Sequence, residues 1–339
     1  SGGKANLNIS SLLENAGQIQ GNGLTVHADT ARSTGTVQGH SLTFQARILN
    51  NAGQMSATGN ARFTVNTVQN GGTLAAGQAF SVTTDTLDNT AGTLYGTTAN
   101  VQVGDITASG TIVGQNALTV TAQNLTIQQG ETLASAGQTA IAVAGTLNNA
   151  GSLNGQNVQV KADALNNSGE IKGDTSTIQA QVFHNPGSVT AAQDASVNAE
   201  QLQNSGTLAA SHSLALKAKQ LDGQGGTIYG NITTLDAGQV TSIGTIIGQK
   251  TVDLKADSLN VEQKGSVAAG EKATFNVAST FNNAGQLSAQ QVGIQAGALN
   301  NAGTVQAGDL TLQTQVLDNR GELTASHTAE VQAQKTTNS

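Results

Sequence analysis

The chain has 339 residues, of which 41 are glycine, one is proline and none is cysteine or tryptophan, and its formal net charge is −7 at pH 7. Aromatic residues make up 2% of the chain and charged residues 10%, and the basic residues form no stripe. This composition excludes disulfides and thiolate metal sites, gives nucleic acid no electrostatic footprint, supplies too few aromatic rings for ordinary globular cores, and contains no apolar run of about 18 residues that could span a membrane as a helix.

A short motif organises most of the chain. The first residues, Ser1-Gly2-Gly3, resemble a remnant of cloning, and residues 1–11 are assigned to an N-terminal edge. Residues 12–326 repeat an apolar residue four positions before a glycine, often with asparagine two before it, as in Leu49-Asn50-Asn51-Ala52-Gly53 and Leu299-Asn300-Asn301-Ala302-Gly303. Residues 327–339 are assigned to a C-terminal edge. We therefore expect one continuous repeat region.

The motif glycine, or its equivalent, recurs every 18 to 21 residues. Its positions are Gly17, Gly35, Gly53, Gly72, Gly92, Gly110, Gly130, Gly151, Gly169, Gly187, Gly206, Gly226, Gly244, Gly265, Gly285, Gly303 and Gly321. Gly17 and Gly151 are 134 residues apart, as are Gly151 and Gly285. The sequence thus predicts duplicated blocks at 17–150 and 151–284 and the beginning of a third at 285–326. The two tyrosines follow the same period, in Gly92-Thr93-Leu94-Tyr95 and Gly226-Thr227-Ile228-Tyr229.

Apolar and polar residues alternate within each repeat, as in Leu24-Thr25-Val26-His27-Ala28 and Val158-Gln159-Val160-Lys161-Ala162. A period of two interrupted by Gly and Asn indicates short strands and turns, and a helix would be penalised by those residues. A repeat of this length holds about three strands and their corners. The sequence predicts an all-β fold, a right-handed single-stranded parallel β-helix (solenoid) of about 17 coils.

The motif residues have predicted structural roles. Glycine is expected to supply a positive φ at a corner. Asparagine two residues before it is expected to form a hydrogen-bonded ladder of stacked amides, interrupted around coils five to seven of each block. The predicted ladder residues are Asn15, Asn51, Asn70, Asn149, Asn167, Asn185, Asn204, Asn283, Asn301 and Asn319.

Units such as Leu299-Asn300-Asn301-Ala302-Gly303-Thr304-Val305, followed by Leu310-Thr311-Leu312-Gln313, resemble the repeats of filamentous haemagglutinin. They are equally similar to the stalk of contact-dependent growth-inhibition effectors of the CdiA type. The resemblance extends from about Leu12 to Ser326. It does not separate adhesins from toxin-delivery proteins.

The resemblance implies a very large exoprotein of a Gram-negative bacterium, exported by two-partner secretion through an outer-membrane transporter and displayed on the cell surface. We expect this chain to be a segment of its shaft, a monomeric rod that holds a distal binding or toxic element away from the cell. The partners implied are the transporter during export and a receptor or glycan on a host or neighbouring cell. No cofactor, nucleic acid or transmembrane segment is expected.

Enzymatic activity is the alternative from a different class, because some carbohydrate-active enzymes are also β-helices. Their sites need clustered carboxylates, whereas the aspartates here are isolated and are better explained as solvated turn residues. These are Asp105, Asp163, Asp174, Asp194 and Asp257. The five histidines lie in different coils without metal-ligand spacing, at His27, His40, His184, His212 and His327. We therefore predict no catalytic, cofactor or metal site, and no enzyme.

Tyr95 and Tyr229 are the residues with a possible binding role. Each follows an inward apolar residue and should point outward, where an aromatic ring can stack on a sugar or anchor a partner. The alternative is that duplication copied a surface tyrosine without function. A cleft with three or more charged residues would favour the enzyme, an exposed aromatic row would favour direct binding, and a smooth polar surface would favour the shaft.

Overall fold

The computed structural model describes residues 3–339, so Ser1 and Gly2 of the predicted N-terminal edge lie outside the described residues. All regular secondary structure within residues 3–339 is β-strand. The chain divides into two compact units, Ser1–Gly173 and Asp174–Ser339. Each unit is described by itself.

Unit 1 contains fifteen strands, and a sixteenth crosses the boundary along the chain. They are β1 (Lys4–Asn15), β2 (Gln18–Ser33), β3 (Thr36–Asn51), β4 (Gln54–Ala57), β5 (Ala61–Asn70), β6 (Thr73–Ala76), β7 (Ala79–Asp88), β8 (Thr93–Ala108), β9 (Thr111–Ala122), β10 (Asn124–Ile127), β11 (Thr132–Ser135), β12 (Gln138–Val143), β13 (Thr146–Asn149), β14 (Ser152–Asn154), β15 (Asn157–Asn167) and β16 (Glu170–Asn185).

Unit 2 contains the remaining strands, of which β19 follows the chain around more than one coil without interruption. They are β17 (Ser188–Asn204), β18 (Thr207–Ala210), β19 (Ser213–Val261), β20 (Ser266–Ala269), β21 (Lys272–Asn283), β22 (Gln286–Asn301), β23 (Thr304–Asn319) and β24 (Glu322–Asn338).

Strands in both units pair in parallel with the strand one coil later. In unit 1, β2 pairs with β3 so that Leu24 lies beside Leu42. In unit 2, β22 pairs with β23 so that Leu299 lies beside Leu317. The sequence repeat is therefore the strand register, because residues at the same motif position become neighbours. The predicted right-handed parallel β-helix is confirmed, with about 18 turns over the two units.

The core of each unit consists of the apolar residues that alternate with polar ones. Along β2, Leu24 and Val26 are buried while His27 between the coils of the outer face is exposed. In unit 1, the rings of Phe44, Phe63 and Phe80 stack from coil to coil with centroids 6.0 and 5.8 Å apart. Each such buried side chain stabilises the fold by roughly 1.5–3 kcal/mol relative to an exposed one, and neighbouring coils add their contributions.

The motif glycines are required for a different reason from the one predicted. Within residues 3–339, glycine has a positive φ only at Gly110, Gly130 and Gly225. At most other motif positions φ is ordinary, but a Cβ would overlap the preceding coil. A Cβ on Gly53 would lie well under 3.0 Å from the carbonyl oxygen of Gly35, and one on Gly303 equally close to that of Gly285. Close stacking of backbone, rather than a left-handed turn, therefore selects glycine here.

Gly130 does not occupy the motif position that its spacing suggested. Thr132 pairs with Ser152, the residue after Gly151, so Glu131 stands where other coils place the stacked glycine. The Glu131 amide donates to the carbonyl of Gln128 at 3.0 Å, and a turn glycine at Gly130 with φ of +86° precedes it. The apparent one-residue shift between the two blocks is thus an altered turn.

Strand structure extends into both segments that the sequence analysis assigned to the edges. β1 begins at Lys4 and pairs with β2 through Ala5–Leu24 and Leu7–Val26. β24 ends at Asn338 and pairs with β23 as far as Asn319.

Candidate functional site

The predicted ladder asparagines of unit 1 lie at one corner of successive coils, with their amides buried. The Asn51 Nδ2 donates to Asn70 Oδ1 at 2.8 Å, and the Asn149 Nδ2 donates to Asn167 Oδ1 at 2.7 Å. The Asn15 Nδ2 donates at 3.1 Å to a serine hydroxyl, Ser33 Oγ, which has the same motif position. Within unit 1 these side chains bridge neighbouring coils.

Unit 2 repeats the arrangement. The Asn185 Nδ2 donates to Asn204 Oδ1 at 2.8 Å. Asn283 donates to Asn301 at 2.7 Å, and Asn301 donates to Asn319 at 2.8 Å. The donor belongs to the earlier coil in every case, so each amide chain runs in one direction. The role of the ten asparagines in holding the coils in register stays our proposal.

A second acceptor explains why asparagine suits this position better than serine. The Asn149 Nδ2 also donates to the Glu170 carbonyl at 3.1 Å, and the Asn185 Nδ2 to the Thr207 carbonyl at 3.1 Å. An amide nitrogen has two hydrogens, so it can satisfy the next side chain and a turn carbonyl together. A hydroxyl has one.

Two amides in the same hydrogen-bonded chains were absent from the sequence prediction. The Asn70 Nδ2 donates to Asn89 Oδ1 at 2.6 Å, and the Asn319 Nδ2 donates to Asn338 Oδ1 at 2.8 Å. Asn89 lies three residues before Gly92 because the turn there is one residue longer. Alignment on the inward leucine, Leu87, would have found it, since Leu-Asp-Asn also occurs at Leu317.

The amide chains have a defined gap. Ile127 pairs with Asn149, and Val261 pairs with Asn283, so an apolar side chain precedes the first asparagine of each series. The Asn149 Oδ1 is buried and has no hydrogen-bond partner within the described residues. The Asn283 Oδ1 accepts from the Gly285 amide at 3.2 Å.

Tyr95 is half-buried on the outer face of unit 1. Its register neighbours are Ala75 in the preceding coil and Val113 in the following one. Two residues earlier, Thr93 continues a row of threonines with its own register neighbours. The ring therefore lies in an uncharged strip of small and β-branched side chains.

Tyr229 is half-buried in the corresponding strip of unit 2, beside Ala209. Its hydroxyl accepts a hydrogen bond from the Gln249 Nε2 in the next coil. The hydroxyl of Tyr95 has no such partner among the described residues.

Titratable residues are not brought together into a reactive cluster. Within residues 3–339, no three His, Cys, Asp or Glu side chains form a group that could hold a metal ion. His212 contacts Asp194 at 2.8 Å, and His40 contacts the Thr58 hydroxyl at 3.0 Å, all at exposed positions. Asp105 accepts from Asn124 at 2.8 Å. These are isolated pairs.

The one ion pair with a shifted pKa is at the surface of unit 1. The Arg47 guanidinium donates two hydrogen bonds of 3.0 Å to the Asp29 carboxylate. This hydrogen bonding lowers the pKa of Asp29 and raises the pKa of Arg47. Both side chains are about half exposed, so the pair contributes little to stability.

Coils of parallel strands, buried amides at one corner and an uncharged outer strip are typical of a structural β-helix. The haemagglutinin repeat family matches residues 1–56, 39–116, 98–151, 111–199, 173–244, 233–305 and 291–339. The chain therefore belongs to the haemagglutinin repeat family. Comparison with curated proteins and with solved structures gave no match.

Family membership identifies a structural, non-enzymatic kind of protein and indicates a secreted or cell-surface exoprotein. Within the described residues, no helix has the length and apolar character needed to cross a membrane.

Proposed function

We propose that the chain is a rod-forming structural segment of a large adhesin-type exoprotein, and that it projects a distal binding or toxin element from the surface of a Gram-negative cell. The observation that carries this proposal is the register within each unit. Every motif position pairs with the same position one coil later, as Leu24 with Leu42 and Leu299 with Leu317. Such stacking transmits order along the chain without a central globular core.

Export through an outer-membrane two-partner secretion transporter is part of the proposal. The support is family membership, since haemagglutinin repeats suggest an exoprotein of that secretion type. Both an adhesin and a contact-dependent growth-inhibition effector would use the segment in the same way. The element that it carries would decide between them.

Small-angle X-ray scattering tests the rod. About 17 coils at a strand spacing of roughly 4.8 Å give a length of about 80 Å, whereas a compact globule of this size would have a radius of gyration of only about 20 Å. Deletion of residues 151–284 removes seven repeats and should shorten the maximum dimension by about 34 Å. An unchanged cross-section is expected. A globular scattering profile of the intact chain would refute the proposal.

A second candidate function, direct binding of a glycan or receptor, is favoured by the strips around Tyr95 and Tyr229. Both rings are half-exposed and lie among uncharged side chains, where an aromatic face can stack on a sugar or an apolar partner. Binding of the chain to host cells or to a glycan array would measure it. The double variant Tyr95→Ala/Tyr229→Ala should bind at least about ten-fold more weakly if the strips are adhesive, and equally well if they are not.

A further inference from the structure

Two grooves of the same construction lie on the corners that carry the ladder asparagines. The corner groove of unit 1 has a volume of about 500 Å³, and the corner groove of unit 2 about 380 Å³. Both are lined by residues three, two and one before the motif glycine in successive coils. In unit 1 these include 32–34, 50–52 and 69–71, and in unit 2 they include 282–284 and 300–302. The groove is therefore a product of the repeat itself.

One wall of the unit 1 groove is a row of long polar side chains. Arg32 pairs in register with Asn50, Asn50 with Gln69, and Gln69 with Asp88. The strand spacing places these residues roughly 4.8 Å apart. Small residues such as Ala52 form the opposite side. The groove is thus open, narrow and polar along four coils.

The polar groups of the unit 1 groove are open to a ligand. The Asn50 Oδ1 is buried and has no hydrogen-bond partner within the described residues. Arg32 is exposed, and no described carboxylate forms an ion pair with it. An acceptor and a charged donor therefore stand in adjacent coils without a partner of their own.

The unit 2 groove is satisfied internally. The Asn300 Nδ2 donates to Asn282 Oδ1 at 2.8 Å. The Arg320 guanidinium pairs with the Asp318 carboxylate at 3.0 Å. The same backbone corner thus carries open groups in one unit and paired groups in the other, which makes unit 2 a natural control.

An extended polypeptide matches the unit 1 groove. A polyproline II segment advances roughly 9.3 Å in three residues, close to the roughly 9.6 Å of two coils, and its backbone N–H and C=O groups are free to hydrogen-bond. A backbone N–H can donate to Asn50, and a carboxylate is the preferred partner of a guanidinium. The residues that line the groove, all in the described part of the chain, include no aromatic ring for stacking on a sugar.

We infer that the corner groove of unit 1 binds an extended acidic polypeptide segment. Arg32 pairs with a carboxylate of that segment, Asn50 Oδ1 accepts from its backbone, and Gln69 bonds the backbone one coil further on. This function is separate from the mechanical one and does not depend on it. Because the chain itself has a net charge of −7, non-specific attraction opposes an acidic ligand.

Fluorescence anisotropy with a labelled peptide of repeating Glu-Pro-Gln triplets tests the inference. The full chain should bind it saturably, and binding should weaken as salt is raised. Arg32→Ala and Asn50→Ala should each raise Kd by about ten-fold, as expected for loss of one charge-assisted or buried hydrogen bond. Arg320→Ala and Asn300→Ala are the matched variants and should leave Kd unchanged.

Several outcomes would overturn the inference. They are no saturable binding, equal loss in the unit 1 and unit 2 variants, equal affinity for a Gln-Pro-Gln repeat, and displacement of the peptide by a neutral β-glucan oligosaccharide. Thermal unfolding followed by circular dichroism separates misfolding from loss of the site. Arg32 is exposed and Asn50→Ala removes an acceptor without a partner, so both variants should unfold near the wild-type temperature.

Discussion

Two corners 134 residues apart reach the same backbone path by different means. In unit 1 the corner is Asp88-Asn89-Thr90-Ala91-Gly92, and in unit 2 it is Asp222-Gly223-Gln224-Gly225-Gly226. Both begin with an aspartate whose carboxylate accepts from the backbone amide two residues later, at 3.0 and 3.1 Å. Both end with a glycine stacked against the preceding coil. The frame of the turn is therefore common to both.

The interior of the two corners differs. Asn89 is fully buried, accepts from Asn70, and donates to the Ser109 carbonyl at 2.6 Å, so it links three coils. Its counterpart is Gly223, which is buried and has no side chain to do this. Ala91 has a φ of 57°, the only non-glycine residue among the described residues with a positive value, whereas its counterpart Gly225 has 76°. Unit 1 gains a buried amide and tolerates a strained alanine, while unit 2 has the unstrained turn without the amide.

The shared glycine should show the largest effect, equal in both corners. Gly92→Ala and Gly226→Ala would each press a Cβ against the backbone carbonyl of the previous coil, at Asn70 and Asn204. Because backbone cannot move aside as a side chain can, each change should lower the free energy of unfolding by about 3 kcal/mol or more. Urea unfolding measures it.

Gly293→Ala is the control for both glycine variants. No atom lies within 4 Å of the position of its added Cβ, and its φ is not in the left-handed region. It should be neutral or stabilise by a few tenths of a kcal/mol, since alanine restricts the unfolded chain. Equal losses at Gly293 and Gly92 would show that stacking is not the reason for the motif glycine.

The buried amide should give the next largest effect, and in unit 1 alone. Asn89→Ala leaves the Asn70 amide and the Ser109 carbonyl without a buried partner, at a cost of about 1–3 kcal/mol for each unsatisfied group. We expect a loss of about 2–3 kcal/mol in urea unfolding. Asn100→Ala, at an exposed position of β8, is the control and should change stability by less than about 0.5 kcal/mol. A loss at Asn89 no larger than at Asn100 would contradict the role of the amide.

The architecture could be predicted from sequence because its two periods are written in residue types. Alternation such as Leu24, Val26 fixes which face is buried, and the spacing from Leu299 to Leu317 fixes the register. Both are local or strictly periodic signals, so no knowledge of distant packing is needed. The fold prediction was confirmed for that reason.

The chemistry of individual corners was harder to predict because it depends on how far apart the coils lie. A glycine required for stacking and a glycine required for positive φ look the same in sequence, so the role given to the motif glycine was wrong at Gly53 and Gly303. Counting from glycine also missed Asn89, where the turn is longer. The corner grooves were not predicted at all, since they arise between side chains of separate coils.

The strained alanine should give the smallest effect, with opposite signs in the two corners. An L-residue in the left-handed region is disfavoured by roughly 1–2 kcal/mol, and glycine is more flexible in the unfolded chain by roughly 0.5–1 kcal/mol. Ala91→Gly should therefore stabilise its corner by about 0.5–1 kcal/mol, and Gly225→Ala should destabilise its corner by a similar amount, because space for the Cβ is open there and φ alone matters. Hydrogen exchange of peptides that cover 86–94 and 220–228 measures each corner locally, which suits a repeat fold whose stability is a sum over neighbours. Slower exchange around Ala91→Gly together with faster exchange around Gly225→Ala is expected. If both substitutions slowed or both hastened exchange, backbone strain would not distinguish the two corners, and the buried amide would account for the difference alone.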